Sequence, residues 1–142
     1  MVLRFSLLTF VCLISMVSCK ESKKGTNDQT QMKNVMAVHD KVMPKMSTLA
    51  KYTAELKAKV DTTEMGMRYK TAMTDLQDAN KAMMDWMMGF GERFDHEEIM
   101  KGKPLTAQKQ KWLNEEEKKV KALENQINSS IERAEALLNA AD

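Results

Sequence analysis

The sequence has few residues that could cross-link it, interrupt helices or build a sheet. Of its 142 residues, two are cysteine, two are proline and five are glycine, and aromatic residues make up 6%. Both cysteines, Cys12 and Cys19, lie within the first nineteen positions, so the rest of the chain cannot form a disulfide. Few prolines, glycines and β-branched residues favour helix over sheet. The composition therefore predicts an all-α fold without disulfides.

Charges of the two signs are nearly balanced. Lysine and arginine number 22, aspartate and glutamate number 20, and the formal net charge is +2. The two signs are interspersed along the chain, which is typical of the solvated faces of helices. Because a nucleic-acid-binding protein usually has a clustered basic face, we expect no nucleic-acid partner.

The one long apolar stretch lies at the start of the chain. Residues 5–17 follow a single basic residue, Arg4, and end just before Ser18 and Cys19. A stretch of about 13 residues is too short to span a bilayer, which needs about 20, and it is typical of a secretory signal peptide. A small residue before a cysteine resembles the lipobox of bacterial lipoproteins. We predict a lipoprotein-type signal peptide over residues 1–18 and lipidation of Cys19, with ordinary secretory cleavage as the alternative.

A lipid on Cys19 would anchor the protein in the cell envelope. We expect it at the outer membrane, on the periplasmic face or on the cell surface, in contact with the membrane through its lipid and with another envelope protein as partner. Residues 19–31 are polar and lack apolar periodicity. This segment therefore predicts a lipidated cysteine followed by a flexible tether.

Three long segments after residue 31 repeat apolar residues with alternating gaps of three and four. This spacing places each set along one side of a helix, and each helix must bury its set against the others. The sequence thus predicts an antiparallel three-helix bundle, a coiled coil with long helices, over residues 32–142. The predicted inner positions are Met32, Val35, His39, Val42, Met46, Leu49, Thr53, Leu56 and Val60; then Tyr69, Met73, Leu76, Asn80, Met83, Met87, Phe90 and Phe94; then Leu113, Glu116, Val120, Leu123, Ile127, Ser130, Ala134, Leu137 and Ala141.

Local signals mark the breaks between these helices. Pro44 should kink or split the first helix. Asp61 or Thr62 can cap the start of the second. Residues 101–104 interrupt the pattern, and Thr106 is a suitable N-cap for the third helix.

The turn positions predict which side chains face one another. A short turn after the first helix would place His39 opposite Met84. A second turn centred near residue 99 would place Trp112 level with Trp86. One end of the bundle would then hold the histidine, the methionine clusters and both tryptophans.

Methionine is unusually frequent, with 14 residues in the chain. Met36, His39 and Met43 are spaced three and four apart and share one side of a helix. Thioether and imidazole ligands suit Cu(I), so these three residues, with Met83 and Met87, form a candidate copper site. Two other interpretations stay open: methionine as a filler of core gaps, and methionine as an adaptable surface for a partner.

Nothing in the sequence indicates catalysis. It contains no glycine-rich phosphate loop, no HExxH, no paired-cysteine metal site and no GxSxG. A rod of long helices also lacks the concave pocket that chemistry needs. We therefore predict no enzyme activity, no catalytic residues and no cofactor other than the possible copper.

Several segments resemble those of a group of short flavobacterial (Bacteroidetes) lipoproteins labelled as similar to viral A-type inclusion proteins. They are the His39-Asp40 pair, VMPKM at 42–46, DLQDANK at 75–81, MMDWM at 83–87 and KWLNEE at 111–116. The resemblance covers most of residues 32–138 and implies an envelope lipoprotein. The label reflects coiled-coil composition, and the family implies no activity and no functional residues.

Together these observations predict a non-enzymatic envelope lipoprotein that acts as a helical interaction or structural module. The alternative is an extracytoplasmic copper-binding protein. The oligomeric state stays open, since three apolar faces can satisfy one another within one chain.

Overall fold

The computed structural model describes residues 24–140, and all regular structure in that range is helical. The elements are α1 (Lys24–Val42), a 3₁₀ turn (Met43–Lys45), α2 (Met46–Lys57), α3 (Glu64–Arg93), α4 (His96–Met100) and α5 (Ala107–Asn139). The predicted all-α class is confirmed for this part of the chain.

Helix α1 begins inside the predicted tether. Residues 24–31 are helical, so the prediction of a flexible segment through residue 31 is wrong there, while residues 19–23 lie outside the described range. Gln31 explains part of the difference, because its Nε2 donates to Glu117 of α5 at 2.6 Å. Polar side chains hold this segment, and a search for apolar periodicity does not detect them.

A second polar contact joins the start of α1 to the segment before α5. Gln29 Nε2 donates to the carbonyl oxygen of Gly102 at 2.6 Å. Gly102 has a φ of +69°, in the left-handed region, and a Cβ there would lie 2.7 Å from the Gln29 side chain. Glycine thus fits both the backbone conformation and the close approach of Gln29.

Pro44 interrupts the first long segment, as predicted. The 3₁₀ turn Met43–Lys45 separates α1 from α2 at this residue. Proline has no N–H to donate to the carbonyl of Asp40, so the helical ladder breaks there.

The connection from α2 to α3 is short and tightly hydrogen-bonded. Thr63 is the N-cap, and its Oγ1 accepts from the N–H of Gly66, which corrects the prediction of Asp61 or Thr62. Asp61 instead accepts from the Thr63 hydroxyl and N–H, and these hydrogen bonds lower the pKa of its carboxyl group. A Cβ on Gly66 would lie 1.9 Å from Asp61 Oδ1, so this turn needs glycine.

The connection from α3 to α5 is longer than predicted because it contains α4. Asp95 caps α4 in a capping box with Glu98, and Thr106 caps α5 as predicted. The extra turn shifts the register between α3 and α5. Trp112 therefore lies beside Arg93, with its ring 5.4 Å from the guanidinium carbon, and the prediction that it lies level with Trp86 is wrong.

The helices pack in a bundle-like arrangement, with α3 against α2 and α5 and with α1 against α5. Gln31 bonds to Asn114, and Lys45 bonds to Asn128, each across 83 residues. This constant offset means that the α1–α2 segment and α5 run in the same direction. Asp75 pairs with Arg133 and Arg93 with Glu116, so α3 runs in the opposite direction to α5.

The inner face of α5 is the predicted one. Its buried residues are Leu113, Glu116, Val120, Leu123, Ile127, Ser130 and Ala134. Leu137 is half-buried, and Ala141 lies outside the described residues.

The inner face of the first long segment is also largely as predicted. The buried members are Met32, Val35, Val42, Leu49 and Leu56. His39, Met46, Thr53 and Val60 are half-buried.

The inner face of α3 differs from the prediction at alternate positions. Ala72, Ala79 and Trp86 are buried where Met73, Asn80 and Met87 were expected; Asn80 and Met87 are exposed and Met73 is half-buried. Each buried residue precedes the expected one by a single position, which turns the inner face by a fraction of a helical turn. The remaining expected residues are buried: Tyr69, Leu76, Met83, Phe90 and Phe94.

The predicted signal peptide and Cys19 lie outside the described residues, so lipidation stays a prediction. Within residues 24–140, no helix combines the length and the apolarity needed to cross a membrane.

Candidate functional site

The exposed methionines are the most unusual surface feature of the described chain. Every large apolar side chain that is exposed in residues 24–140 is a methionine: Met65, Met67, Met84, Met87, Met88 and Met100. Only Met32 and Met83 are buried. The interpretation of methionine as a core filler is therefore wrong for the six exposed methionines, whereas Met36, Met43, Met46 and Met73 are half-buried and pack against the core.

Three of the exposed methionines form one patch on α3. Met84, Met87 and Met88 are 50%, 37% and 62% exposed, and their spacing of three and four places them on neighbouring turns of one side. We call these three residues the methionine patch. It is flanked by an ion pair between Lys81 and Asp85 on the same helix.

His39 lies in α1 close to this region. Its side chain is 13% exposed, and its Nδ1 forms a hydrogen bond of 3.0 Å with Asp40 Oδ1. Its ring lies against the indole of Trp86, with 5.8 Å between ring centroids and 31° between planes. The sequence predicted Met84 opposite His39, so the observed partner is two positions further along α3.

Trp86 begins a row of aromatic rings along the inside of α3. Its ring centroid is 4.9 Å from that of Phe90, which in turn is 4.9 Å from that of Phe94. Trp86 is 7% exposed, and its indole N–H is buried without a hydrogen-bond partner among the described residues. This row makes an apolar wall beside the imidazole.

The five predicted copper ligands occupy different environments. Met36, His39 and Met43 are all half-buried, the first two on α1 and Met43 at the start of the 3₁₀ turn. Met83 is fully buried in the core, whereas Met87 is exposed one turn further along α3. The structure thus leaves four of the five near the surface and places Met83 in the core.

Ligands for harder metals are not gathered anywhere in residues 24–140. No group of three or more histidine, cysteine, aspartate or glutamate side chains is placed to hold a metal ion there.

A buried carboxylate, that of Glu116, lies between α3 and α5 at one of the predicted inner positions. Glu116 is 2% exposed and accepts hydrogen bonds of 2.9 Å from both Arg93 and Lys119. Arg93 also bonds to Glu115 at 2.8 Å and stacks on Trp112. These groups satisfy one another, so we interpret them as a structural ion-pair network.

The same interface carries an open groove of about 610 Å³, with Trp86, Gly89 and Leu123 among its apolar lining residues and Asp85 and Glu92 among its charged ones. The groove is wide open to solvent. No arrangement of a nucleophile with a base is apparent among its lining residues.

No protein-family model, curated protein or solved structure matches the chain. The resemblance to flavobacterial lipoproteins therefore stays a prediction from the segments quoted above.

Proposed function

We propose that this protein is a non-enzymatic, lipid-anchored envelope protein that works as a helical interaction module. In this proposal residues 24–140 form an antiparallel three-helix bundle that presents the methionine patch to a partner protein. The packing of α3 against α2 and α5, and the common direction of α1 and α5, support the bundle.

The single observation that carries the proposal is the exposure of the methionine patch. Met88 is 62% exposed, so its thioether contributes little to the core of the protein. A cluster of exposed apolar side chains with a polar rim is typical of a contact surface. Methionine suits such a surface because its flexible, polarizable side chain can adapt to a partner of varied shape.

The expected partner is another envelope protein with an apolar helical surface. The patch extends along a single helix rather than around a pocket, and Lys81 and Asp85 beside it neutralise each other. A second helix can therefore lie along α3 with apolar side chains against the methionines and without burying an unpaired charge.

Site-specific photo-crosslinking in the cells that make the protein tests this proposal. A photoreactive amino acid replaces Met88 in the patch or, as a control, the exposed Lys118 on α5. We expect a discrete crosslinked product from position 88 only, and its loss when Met84 and Met87 are both changed to glutamine. The same products from both positions, or none from position 88, would contradict the proposal.

The anchor is tested separately. In cells fed a clickable fatty acid, the wild-type protein should carry the label and sediment with membranes. Cys19→Ser should lose both properties, and Cys12→Ser should keep them. Membrane association of an unlabelled protein would argue for a different mode of attachment.

A further inference from the structure

His39 has one ring nitrogen engaged and one available. Its Nδ1 lies 3.0 Å from a carboxylate oxygen of Asp40, which can only accept a hydrogen bond, so the proton is on Nδ1. No other hydrogen bond to His39 is present in the described structure. Nε2 therefore keeps a free lone pair, and a carboxylate on the opposite nitrogen is the arrangement that orients many metal-binding histidines.

Thioether sulfurs flank this histidine on its own helical segment. Met36 precedes His39 by three positions and Met43 follows it by four, so both lie on the same side of the segment, with Cβ atoms about 5–6 Å from that of His39. Both methionines are half-buried. Each is close enough for its flexible side chain to bring sulfur to a metal bound by Nε2.

Helix α3 adds a third source of sulfur and an aromatic shield. Trp86 lies against the His39 ring, and Met87 is its chain neighbour, 37% exposed. Helices α1 and α3 approach closely at few points, and His39 and Trp86 are in contact between them. The indole face is suited to cover a cation.

We propose that His39 Nε2, with sulfur from Met36, Met43 and Met87, forms a binding site for a single soft monovalent cation, Cu(I), against the face of Trp86. Soft thioethers favour Cu(I) over the divalent metals that carboxylate clusters attract. Met83 is excluded from the site because it is fully buried in the core. Met87 belongs both to this site and to the methionine patch, whereas Met84 and Met88 belong to the patch alone and are not ligands.

Competition with a chromophoric Cu(I) chelator tests the site, on the full-length chain in detergent under anaerobic, reducing conditions. We expect one Cu(I) per chain. His39→Ala should abolish this binding, and Asp40→Ala should weaken it about 10-fold or more because the imidazole loses its orienting hydrogen-bond acceptor. A wild-type chain that cannot compete with the chelator, or binding unchanged in His39→Ala, would overturn the proposal.

Methionine-to-leucine variants identify the sulfur ligands without changing side-chain volume much. Met36→Leu, Met43→Leu and Met87→Leu should each weaken Cu(I) binding, and Met36→Leu with Met43→Leu should weaken it most. Met84→Leu and Met88→Leu are matched exposed controls and should bind like the wild type. Equal losses in the control variants would indicate unspecific binding by surface methionines and would contradict the site.

Tryptophan fluorescence gives a readout that depends on position. In a Trp112→Phe variant the only tryptophan left is Trp86. Adding Cu(I), or Ag(I) as a redox-inert probe, should quench its emission at one equivalent, and His39→Ala should remove the quenching. Circular dichroism on each variant confirms that the helices remain. Stoichiometric binding without any change at Trp86 would place the metal elsewhere and overturn the proposal.

Discussion

The two sides of α3 are packed differently. Towards α5 the helices meet along their length, and polar groups complete the contact: Ser130 Oγ lies 3.4 Å from the carbonyl oxygen of Asp75, and Arg133 pairs with the Asp75 carboxylate at 3.0 Å. On its other side α3 packs closely against α2, whereas α1 approaches it at few points, where the His39 ring lies against Trp86. The side of α3 that faces α5 carries the buried polar contacts of the fold. The side that faces α1, which we call the open side, carries the side chains proposed to bind Cu(I).

The largest expected difference between these sides is in the free energy of unfolding that is lost when a side chain is truncated to alanine. Ile127 is fully buried on the inner face of α5, so Ile127→Ala should lower the free energy of unfolding by about 3 kcal/mol through lost burial and a cavity. Met87→Ala on the open side should cost less than about 1 kcal/mol, since its side chain is exposed. Urea unfolding of both variants measures this, and equal losses would contradict the comparison.

Overpacking tests which residues of α3 face inward. Ala79 is fully buried, so Ala79→Leu should lower the free energy of unfolding by about 2 kcal/mol because the core has no room for the larger side chain. Asn80→Leu should change it by less than about 0.5 kcal/mol, since Asn80 is exposed. Thermal melts of the two variants measure these changes in stability and show which of the two positions faces the core. A larger loss from Asn80→Leu would favour the inner face that the sequence predicted.

Replacing His39 separates the contribution of this side chain to folding stability from its proposed role in Cu(I) binding. In the metal-free protein, His39→Leu should raise the free energy of unfolding by about 1 kcal/mol, because leucine buries more apolar surface beside Trp86 and carries no polar atom to satisfy. The same variant should bind no Cu(I). Chemical unfolding without metal is the measurement, and a clear loss of stability would show that the imidazole itself supports the packing.

The smallest expected effect is the loss, at low pH, of the stabilisation that the Asp95 N-cap gives to α4. The backbone N–H of Glu98 donates to Asp95, and Lys103 bonds to it as well; both lower the pKa of the Asp95 carboxyl group below its usual 3.8. Because the folded pKa lies below the unfolded one, this stabilisation is present above pH 3.8 and is lost as the pH falls through the folded pKa.

Asp95→Asn should therefore melt slightly below the wild type at pH 7, and the difference should shrink at pH 2. Melts at intermediate pH locate the change. Asp78→Asn, at an exposed position of α3, is the control and should follow the wild type throughout. A difference that grows in acid would contradict the sign of the pKa change.

Sequence alone predicted α5 better than α3, for a physical reason. The inner positions of α5 stand among charged neighbours, so their phase is unambiguous. In α3, methionines occupy both inner and outer positions, as Met83 and Met84 do. Alanine is common in both environments, so it does not indicate whether a position faces the core or the solvent. The hydrophobic pattern therefore could not decide which of the neighbours Trp86 and Met87 faces the core.

The candidate site was predictable only in part. The spacing of Met36, His39 and Met43 follows from helical periodicity and needs no tertiary information. The contact of His39 with Trp86 depends on the register between two helices, which the turn position fixed to within two residues. The prediction that Trp112 lies level with Trp86 was wrong because α4, a short helix without a long apolar pattern, lengthened the connection between α3 and α5.

The early start of α1 leaves only a short connection between Cys19 and the first helix. If Cys19 carries a lipid, only four residues separate it from Lys24, where the helix begins. His39 lies fifteen positions further on, which is about 22 Å along a helix axis at 1.5 Å per residue. A Cu(I) ion bound as proposed would then lie within about 40 Å of the lipid, since the five steps from Cys19 to Lys24 add at most about 18 Å. If the lipid and the Cu(I) site are both present, this short reach favours exchange of the ion with membrane-bound partners over exchange with freely diffusing ones.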